Sequence, residues 1–302
     1  MDGFLNVWKP PGLTSFQVVR RVREVTGERR VGHGGTLDPD AEGVLPIALG
    51  QATRAIEYLH LQDKAYRAVI SLGLSTDTYD AGGRATGGCP PTASRDEVEA
   101  TLVHFRGEVW QRPPSYSALK LKGQPLYRRA RRGEDVTPPL RQVRFYRLEL
   151  ARWEPPEVTL DIECGAGTYI RSLAHDLGQA LGCGAHLKHL LRLRSGPFDA
   201  SDAIPLATIE DSFAEEGWLW LHPVDVVMLP WPAAICGREK EASIAHGGAV
   251  PLARPPREGP CRVYTLDGRF LAVLRPRNGQ WWPEKVFSLH PESCCDAPEM
   301  GE

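Results

Sequence analysis

The sequence predicts an α+β fold in two parts, a larger one over residues 1–228 and a small β-rich one over residues 229–288. The larger part mixes helical and strand patterns without the regular alternation that is typical of a parallel α/β sheet. Beyond the stretch MLPWP (228–232), short apolar runs alternate with the turn sequences HGG, DG and NG, which favours strands joined by tight turns. Residues 289–302 predict a disordered tail.

Two elements are predicted near the start of the chain. Residues 15–26, SFQVVRRVREVT, have the spacing of an amphipathic helix, with Ser15 suited to the N-cap and Gly27 to the C-terminal stop. Residues 66–74, YRAVISLGL, are rich in β-branched and aromatic side chains and predict a strand.

A helix and a hairpin are predicted in the middle of the chain. Ser94 and Glu97 have the spacing of a capping box, which indicates a helix over residues 94–105. Residues 143–150 and 157–163 alternate polar and apolar side chains around the sequence EPP, which favours a β-hairpin.

A third helix is predicted after Thr168, which we expect to be its N-cap. Such a helix places Tyr169 and Arg171 in its first turn, where side chains reach beyond the helix end. Its apolar residues recur at the spacing of a buried stripe, namely Ile170, Leu173, Leu177 and Leu181.

Composition excludes several classes of protein. With 42% hydrophobic residues and a formal net charge of −2, the chain is not a uniformly basic nucleic-acid coat. The first residues, MDGFLNVWKPPG, lack the basic and apolar regions of a signal peptide. The most apolar later stretch, 218–236, contains His222, Asp225 and several prolines, which excludes it as a membrane-spanning helix. The seven cysteines form no CxxC pair, so we expect reduced thiols, a cytoplasmic protein and no metal site.

Positive charge is concentrated in residues 112–147. This segment carries ten Lys or Arg side chains against Glu134 and Asp135, a formal charge of +8. A solvated charged surface is the ordinary interpretation of such a run. Because glycines and prolines also interrupt the segment, it equally fits a mobile arm that closes over a phosphate backbone.

Residues 32–45, GHGGTLDPDAEGVL, hold Asp38 in a glycine-rich turn in front of an apolar run. An aspartate before a proline often does no more than bond its own backbone. Here the surrounding glycines permit unusual backbone angles or the close approach of a ligand, and the apolar run anchors the turn in a core. A rigidly held exposed loop is where functional residues concentrate.

Four motifs stand along residues 6–200, namely NVWKPPGLTSF, GHGGTLDPDAEGVLPIALGQATR, KAYRAVISLGLSTDTYDAGG and CGAGTYIRSLAHDLGQALGCGAHLKHLLRLRSGPF. Taken together, and in this order, these four stretches resemble the TruB-type pseudouridine synthases, which modify uridine 55 in the T loop of tRNA. The match beyond residue 230, to a PUA-like RNA-binding domain, is weak.

The resemblance implies a catalytic domain built on a mixed or antiparallel central sheet flanked by helices, with Asp38 as the catalytic carboxylate. The carboxylate serves as a nucleophile at the sugar or at the base, or as the base that removes a ribose proton, and the sequence leaves these routes open. We expect Arg171 to pair with Asp38 and to lower its pKa. Tyr66 matches the family tyrosine that stacks on the target base, although a strand-core aromatic is an equal alternative.

Five further positions match family site residues. Tyr169 corresponds to a second active-site tyrosine and His33 to a histidine that contacts RNA around the flipped base. Lys9 supports the loop or a phosphate, and Asp80 orders the site or contacts RNA. Leu190 corresponds to an apolar pocket residue, although a leucine in HLKHLLRL is by default a core residue.

In the family, an insertion at residues 112–147 closes on the T-stem-loop. We therefore expect Lys120, Arg129 and Arg132 to contact RNA. A further set of cations in residues 185–194 is predicted to extend the footprint, namely Lys188, Arg192 and Arg194.

The resemblance favours a monomeric enzyme without a cofactor, whose partner is tRNA and not a membrane. An RNA-folding chaperone is the main alternative, and a subunit directed by a guide RNA is another. Asp38, Arg171, Tyr66 and Tyr169 favour the enzyme, because a binding protein has no need of a carboxylate that repels phosphate.

Overall fold

The computed structural model describes residues 1–117, 119–121, 124–126, 129, 132, 134, 137–252 and 259–287. The predicted tail, 289–302, lies outside the described residues, as do Lys122, Arg128 and Arg131 of the basic segment. Lys120 is described by its backbone alone.

The elements of the described chain follow in sequence order. The helices are α1 (Ser15–Thr26), α2 (Ile56–His60), α3 (Arg95–Val103), α4 (Ile170–Ala180), α5 (Leu206–Glu216) and α6 (Arg238–Ala245). The strands are β1 (Gly3–Lys9), β2 (Val31–His33), β3 (Glu42–Leu49), β4 (Lys64–Leu72), β5 (Ser75–Thr76), β6 (Ala85–Gly87), β7 (Gly107–Gln111), β8 (Lys120–Leu121), β9 (Gln124–Pro125), β10 (Arg141–Glu154), β11 (Glu157–Cys164), β12 (Ala185–Ser195), β13 (Phe198–Asp199), β14 (Ile204–Pro205), β15 (Leu221–His222), β16 (Ala233–Ile235), β17 (Cys261–Tyr264), β18 (Phe270–Arg277) and β19 (Gln280–Val286).

Eleven strands of the described residues form one mixed sheet. Its main path runs β14-β1-β3-β12-β4-β11-β10-β7, with β2, β13 and β15 paired to β3, β12 and β1. Most neighbours are antiparallel, whereas β1 pairs with β14 and β3 pairs with β12 in parallel. The predicted α+β fold with a mixed central sheet is therefore confirmed.

Helices α1, α3, α4 and α5 bury their apolar sides against one face of this sheet. Side chains of strand β3 alternate between the two faces of the sheet. Leu45 and Ile47 belong to the core on the helix side, while Val44 and Ala48 belong to a second core on the opposite face. The centre of the sheet is thus buried on both faces.

Farther along the sheet, the second face is open to solvent. On this face Arg67 of β4 forms a bidentate ion pair with Asp161 of β11. Its Nε donates to Oδ1 at 2.8 Å and its Nη2 to Oδ2 at 2.9 Å. Arg147 and Glu149 of β10 pair at 2.6 Å. Opposite charges thus neutralise each other along the uncovered half of the sheet.

The predicted helices are present, but two N-caps are wrong. The N-cap of α1 is Thr14, which forms a capping box with Gln17, while Ser15 is buried. Thr168 does not cap α4, since its hydroxyl donates to the carbonyl oxygen of Gly165 at 2.9 Å and Tyr169 occupies the N-cap position. The capping box of Ser94 and Glu97 and the left-handed stop at Gly27 are confirmed.

The predicted hairpin is confirmed as β10 and β11, with β10 four residues longer at its end than the alternation indicated. The strand predicted over residues 66–74 begins two residues earlier and ends at Leu72. Strand β11 pairs with β4, and Thr168 and Tyr169 follow shortly after its end at Cys164. Tyr169 and Tyr66 line the same cavity.

The C-terminal part is β-rich, as predicted, and its described residues form the sheet β16-β17-β18-β19 with α6 packed beside it. Phe270, Val273 and Phe287 from this part lie in the second core, together with Phe4 and Ala48 of the large sheet. The domain boundary at residue 228 stays a prediction, because the two parts share this core. Among the described residues, no helix is long and apolar enough to cross a membrane.

Candidate active site

The Asp38 loop, residues 34–41, connects β2 to β3 and is fastened at its centre by Ser15. The Ser15 hydroxyl accepts a hydrogen bond from the Leu37 amide at 2.9 Å and donates one to the Leu37 carbonyl oxygen at 3.1 Å. One residue on, the Asp38 carbonyl oxygen accepts from the Ala41 amide at 3.1 Å. The carboxylate of Asp38 therefore projects from a turn whose backbone is fixed on both sides.

Lys9 fastens the other end of the loop. Its side chain is fully buried, and its ammonium donates to the carbonyl oxygens of Pro10, Pro39 and Ala41 at 2.9, 2.9 and 2.6 Å. Burial lowers the pKa of Lys9 to about 8, and the carboxylates of Asp40 and Asp38 oppose that shift. Because an ammonium has three N–H donors, Lys9 supports the loop and has none left for a phosphate.

Arg192 lies beneath the loop and not in an RNA footprint. Its side chain is 1% exposed, and its guanidinium donates to the carbonyl oxygens of Val44 at 2.6 Å and Gly35 at 3.1 Å. Gly43 allows the backbone of β12 to lie close to β3, since a Cβ there would lie 2.3 Å from the carbonyl oxygen of Arg192 and its φ is +102°.

The other two cations of the predicted footprint are paired with acids. Lys188 forms an ion pair with Glu157, and Arg194 lies 3.6 Å from Glu163. The footprint predicted from residues 185–194 is therefore wrong for Arg192, because it is buried, and is weakened for Lys188 and Arg194, because their charges are compensated.

Arg171 holds the Asp38 carboxylate by both oxygens. Its Nε lies 2.9 Å from Oδ2 of Asp38, and its Nη2 donates to Oδ1 at 3.2 Å. The arginine side chain is 7% exposed and the aspartate 39% exposed. The predicted pairing of these residues, which are 133 positions apart, is present in the structure.

The remaining N–H groups of Arg171 are also engaged. Nη1 donates to Oδ2 of Asp80 at 3.3 Å and to the Thr78 carbonyl oxygen at 3.2 Å, while Nη2 donates to the Tyr116 carbonyl oxygen at 3.0 Å. Asp80 is itself held by Thr78, whose hydroxyl donates to Oδ1 at 2.5 Å. Asp80 thus helps to fix the guanidinium of Arg171, while its predicted role in ordering the site or contacting RNA stays a prediction.

The electrostatic balance at Asp38 differs from the expectation. Burial raises the pKa of Asp38 above its ordinary value, Arg171 and Lys9 oppose the rise, and the carboxylate of Asp80 adds to it. Asp38 lies where two cavities meet and is surrounded by protein groups on several sides, so its loss of hydration outweighs the attraction of the guanidinium. The prediction of a lowered pKa is wrong for this reason.

Two cavities meet at Asp38, Arg171 and Leu190, which line both of them. The first, about 260 Å³, has the carboxylates of Asp40 and Asp80 on its wall. The second, about 470 Å³, is lined by Tyr66 and Tyr169 among others. The predicted pocket residue Leu190 is thus at the junction, half-buried, and also packs on the main core.

Both predicted tyrosines lie on the wall of the larger cavity. Tyr66 is 8% exposed and belongs to the main core, so it is a core aromatic and a cavity residue at once. Burial raises its pKa to about 12. Tyr169 is fixed by Gln111, whose side-chain oxygen accepts from the Tyr169 amide at 2.8 Å and whose nitrogen donates to its carbonyl oxygen at 3.0 Å.

His33 lies at the end of β2, where its Nδ1 accepts a hydrogen bond from the Gly35 amide at 3.3 Å. Burial lowers the pKa of His33, with smaller contributions from His60 and Arg192, so its ring is neutral at pH 7. A neutral, half-buried histidine beside the loop is suited to contact a base and not to act as a cation.

Sequence reasoning missed Lys64 and His60, which line the larger cavity. Burial, together with the nearby charge of Arg192, lowers the pKa of Lys64 to about 8. Lys64 stands two residues before Tyr66 in β4, and alternate residues of a strand share a face. The two-residue spacing was therefore a signal that could have placed Lys64 at the site.

Two arginines of the basic segment share one acid, which the formal charge of +8 already includes. In its described part, Arg129 and Arg132 both contact the carboxylate of Glu134, at 2.6 and 3.6 Å. Arg112 donates to the Pro138 carbonyl oxygen at 2.6 Å. Arg132 remains the more exposed of the pair, with 59% of its side chain accessible against 27% for Arg129.

Sequence comparison connects this site with a known family. The profile of the TruB family pseudouridylate synthase N-terminal domain matches residues 23–170, and that of the tRNA pseudouridylate synthase B C-terminal domain matches residues 171–234. The first range contains Asp38 and both tyrosines, and the second begins at Arg171.

Relatives and solved structures agree with these profiles. The tRNA pseudouridine synthase B of Dehalococcoides mccartyi is 42% identical over 95% of this chain and 97% of its own, and that of Heliobacterium modesticaldum is 44% identical over 95% and 96%. A solved H/ACA RNP bound to a substrate RNA containing 2'-deoxyuridine superposes with a TM-score of 0.71 and 29% identity, over 94% of this chain and 84% of that one. The chain belongs to the TruB family of pseudouridylate synthases, which are isomerases.

Proposed function

We propose that the chain converts uridine to pseudouridine in tRNA, at position 55 of the T loop, with Asp38 as the catalytic carboxylate. The observation that carries this proposal is the bidentate contact of Arg171 with Asp38 at the point where two cavities meet. Tyr66 and Tyr169 line the larger of these cavities. Relatives named tRNA pseudouridine synthase B support the substrate class.

The reaction asks for a carboxylate and for no redox change. The bond between N1 of uracil and C1′ of the ribose breaks, the base turns, and C5 bonds to C1′, while the C5 proton leaves and N1 takes up a proton. Asp38 serves as a nucleophile at the sugar or the base, or removes a ribose proton, and each route requires the ionised form. Arg171 favours that form, while the cleft wall disfavours it.

The larger cavity suits an extruded base. Its volume, about 470 Å³, falls within the range of small-molecule sites, which is roughly 300–1,000 Å³. A uridine in a folded loop must leave its stack before C1′ or C5 can be reached, at a cost of a few kcal/mol. Contacts with the rings of Tyr66 and Tyr169 offset this cost, since stacking on an aromatic side chain contributes about 1–3 kcal/mol per base.

We further propose that the C-terminal sheet is a PUA-like RNA-binding domain of a cytoplasmic monomer. Strands β18 and β19 expose Arg277 and Trp282, the latter 40% accessible. A cation and an aromatic ring on one exposed hairpin provide the two contacts that RNA-binding surfaces combine, namely phosphate attraction and stacking.

The test is conversion of an unmodified tRNA transcript by the purified chain alone. Isomerisation removes the C5 hydrogen, so tritium released from C5-labelled uridine measures the rate, and mapping locates the product. We expect a single product at position 55, and none in a transcript with cytidine at that position.

Asp38→Asn should lower the single-turnover rate by at least about 10³-fold, because it removes the ionised oxygen that every route needs. The matched control is Asp40→Asn, the same charge change at an exposed residue of the same loop, which should keep most of the activity. A rate for Asp38→Asn that equals the control rate contradicts the assignment of the carboxylate.

A guide-directed activity is the second candidate, favoured by the likeness to the RNA-bound H/ACA RNP. It requires that the isolated chain leave the transcript unmodified until guide RNA and protein partners are added. Tight binding without conversion under any of these conditions would instead support the chaperone alternative.

A further inference from the structure

The two cavities that meet at Asp38 differ in charge. The smaller one is lined by three carboxylates and two cations, namely Asp38, Asp40, Asp80, Arg171 and Lys188. The larger one is lined by one carboxylate and three cations, namely Asp38, Lys64, Arg171 and Arg192. His60 also lines the larger cavity, but burial lowers its pKa, so its ring is neutral at pH 7. An anionic group is therefore attracted to the larger cavity and repelled from the smaller one.

Of the three cations in the larger cavity, Lys64 is the one with donors left for a ligand. Arg171 uses its N–H groups on carboxylates and backbone carbonyls, and Arg192 is 1% exposed. In the part of the chain that the structure describes, the Lys64 ammonium makes one hydrogen bond, to the Gln62 carbonyl oxygen at 2.8 Å. Since an ammonium has three N–H donors, two remain for a ligand.

The side chain of Lys64 points toward the cavity. Lys64 and Tyr66 are alternate residues of β4 and share a face of the sheet, while Arg67 lies on the open face. The Cε atom of Lys64 lies 3.8 Å from the position that a Cβ of Gly35 would take, so it reaches the Asp38 loop. The ammonium thus stands on the same cavity wall as the tyrosine expected to contact the base.

Lys64 is a cation without a counter-ion. No carboxylate of the described residues forms an ion pair with it, and its one hydrogen-bond partner is a carbonyl oxygen. Burial and the charge of Arg192 lower its pKa to about 8, which still leaves the ammonium mostly protonated at pH 7. A half-buried charge that lacks a partner costs free energy, and a bound anion would offset that cost.

We infer that Lys64 binds a phosphate of the target nucleotide, one of the two phosphodiester groups that flank the extruded uridine. This inference rests on the proposed function for its substrate. The ribose must approach Asp38 for the bond at C1′ to break, and it brings its two phosphates to the mouth of the cavity. A hydrogen bond between an ammonium and a phosphate is charge-assisted, so Lys64 would favour the extruded state of the nucleotide.

The direct test uses T-stem-loop RNAs in which the linkage on the 5′ or the 3′ side of the target uridine is a neutral methylphosphonate. All proteins carry Asp38→Asn, so that the uridine stays unconverted during binding. Lys64→Gln should weaken binding of the natural RNA by about tenfold to a hundredfold. One of the two neutral linkages should weaken binding by the parent protein to a similar extent. On that RNA, Lys64→Gln should cost less than about threefold, because the contact is already absent.

Two control variants separate charge from packing. Lys64→Arg keeps the cation, so affinity for the natural RNA should stay within about threefold. Arg67→Gln removes a cation from the opposite face of the same strand, where it pairs with Asp161, and should leave affinity unchanged. The slope of log affinity against log salt concentration should fall by about 0.7–0.9 in Lys64→Gln and stay constant in both controls.

A second measurement uses mononucleotides and the natural aspartate. By ligand-observed NMR titration, uridine 5′-monophosphate or uridine 3′-monophosphate should bind more tightly than uridine, and Lys64→Gln should remove the difference. This titration needs neither tRNA nor conversion of uridine, so a failure of the proposed function is distinguishable from a failure of this inference.

Two results would overturn the inference. One is a loss of affinity in Lys64→Gln that is equal for the natural RNA and for both neutral linkages, since Lys64 would then act on the protein alone. The other is a parent protein that binds all three RNAs equally and binds both monophosphates no better than uridine. The second result needs no substitution of Lys64, so it decides the matter even if Lys64→Gln does not fold.

Discussion

At the scale of single residues, one guanidinium is shared by two carboxylates. Arg171 contacts both oxygens of Asp38 and one oxygen of Asp80, and its remaining donors go to backbone carbonyls. The protein thus uses every N–H of Arg171, so the arginine acts by holding Asp38 and not by gripping a phosphate. Asp80 raises the pKa of Asp38, since a second negative charge disfavours the first.

This arrangement predicts a particular pH dependence. Activity needs ionised Asp38, so the rate should fall as pH drops through its raised pKa, at a higher pH than an ordinary aspartate would give. Asp80→Asn removes the repelling charge. It should therefore move the acid limb of the pH–rate profile, where the rate falls with falling pH, to lower pH, whatever happens to the maximal rate. Single-turnover rates between pH 4 and 8 measure the limb.

The control for that profile is Asp161→Asn, which removes a carboxylate from the open face of the sheet, where it pairs with Arg67. It should leave the acid limb in place. An upward movement of the limb in Asp80→Asn contradicts the charge argument.

At the scale of elements, the start of α1 serves two purposes with two adjacent hydroxyls. Thr14 caps the helix, and Ser15 ties the helix to the Asp38 loop through both backbone groups of Leu37. The helix is therefore part of the scaffold that holds the carboxylate in place.

The two hydroxyls give a matched pair of substitutions. Ser15→Ala leaves buried groups of Leu37 unpaired, so we expect a loss of about 1–3 kcal/mol in unfolding free energy and a lower rate at temperatures where the protein is folded. Thr14→Ala removes the N-cap side chain, so it should lower the unfolding free energy by about 1 kcal/mol and leave the rate unchanged. Denaturant unfolding and single-turnover rates measure both, and equal rates for the two variants would count against a loop-holding role of Ser15.

The same two residues show what the sequence could predict. The helix itself followed from its apolar spacing, but either hydroxyl could cap it, and the choice depends on Leu37, which lies 22 positions away. Arg192 was misplaced for a similar reason, since a charged residue in a strand is by default exposed. Only the pairing of β12 with β4 and the loop above them shows that this cation is buried.

The resemblance placed Asp38, Arg171, Tyr66 and Tyr169 correctly around one cleft, because long motifs carry tertiary information that local periodicity lacks. The net pKa direction at Asp38 could not be predicted, since it depends on how deeply the cleft encloses the carboxylate.

At the scale of the whole molecule, positive charge is distributed unevenly. The open face of the sheet carries compensated pairs such as Arg67 with Asp161 and Arg147 with Glu149. In the basic segment, Glu134 is shared by Arg129 and Arg132, so one carboxylate faces two cations. RNA should therefore be attracted to the segment and not to the open face.

Salt dependence tests this difference. Each phosphate contact adds about 0.7–0.9 to the slope of log affinity against log salt concentration. Arg132→Ala should lower the slope by about that amount, whereas Arg67→Ala, the removal of a paired arginine on the open face, should leave it unchanged. Binding isotherms of a tRNA transcript at several salt concentrations measure both, and equal slopes for the two variants contradict the predicted arm.

The core shared by the two parts of the chain has a practical consequence. Phe270, Val273 and Phe287 are buried against Phe4 and Ala48, and Lys285 pairs with Glu57 across the same junction at 2.6 Å. A chain cut after residue 232 would open apolar surface to water directly behind the strand that follows the Asp38 loop. Loss of activity in such a truncation would report damage to the larger sheet, so the contribution of the C-terminal part to RNA affinity is better measured with surface changes such as Trp282→Ala.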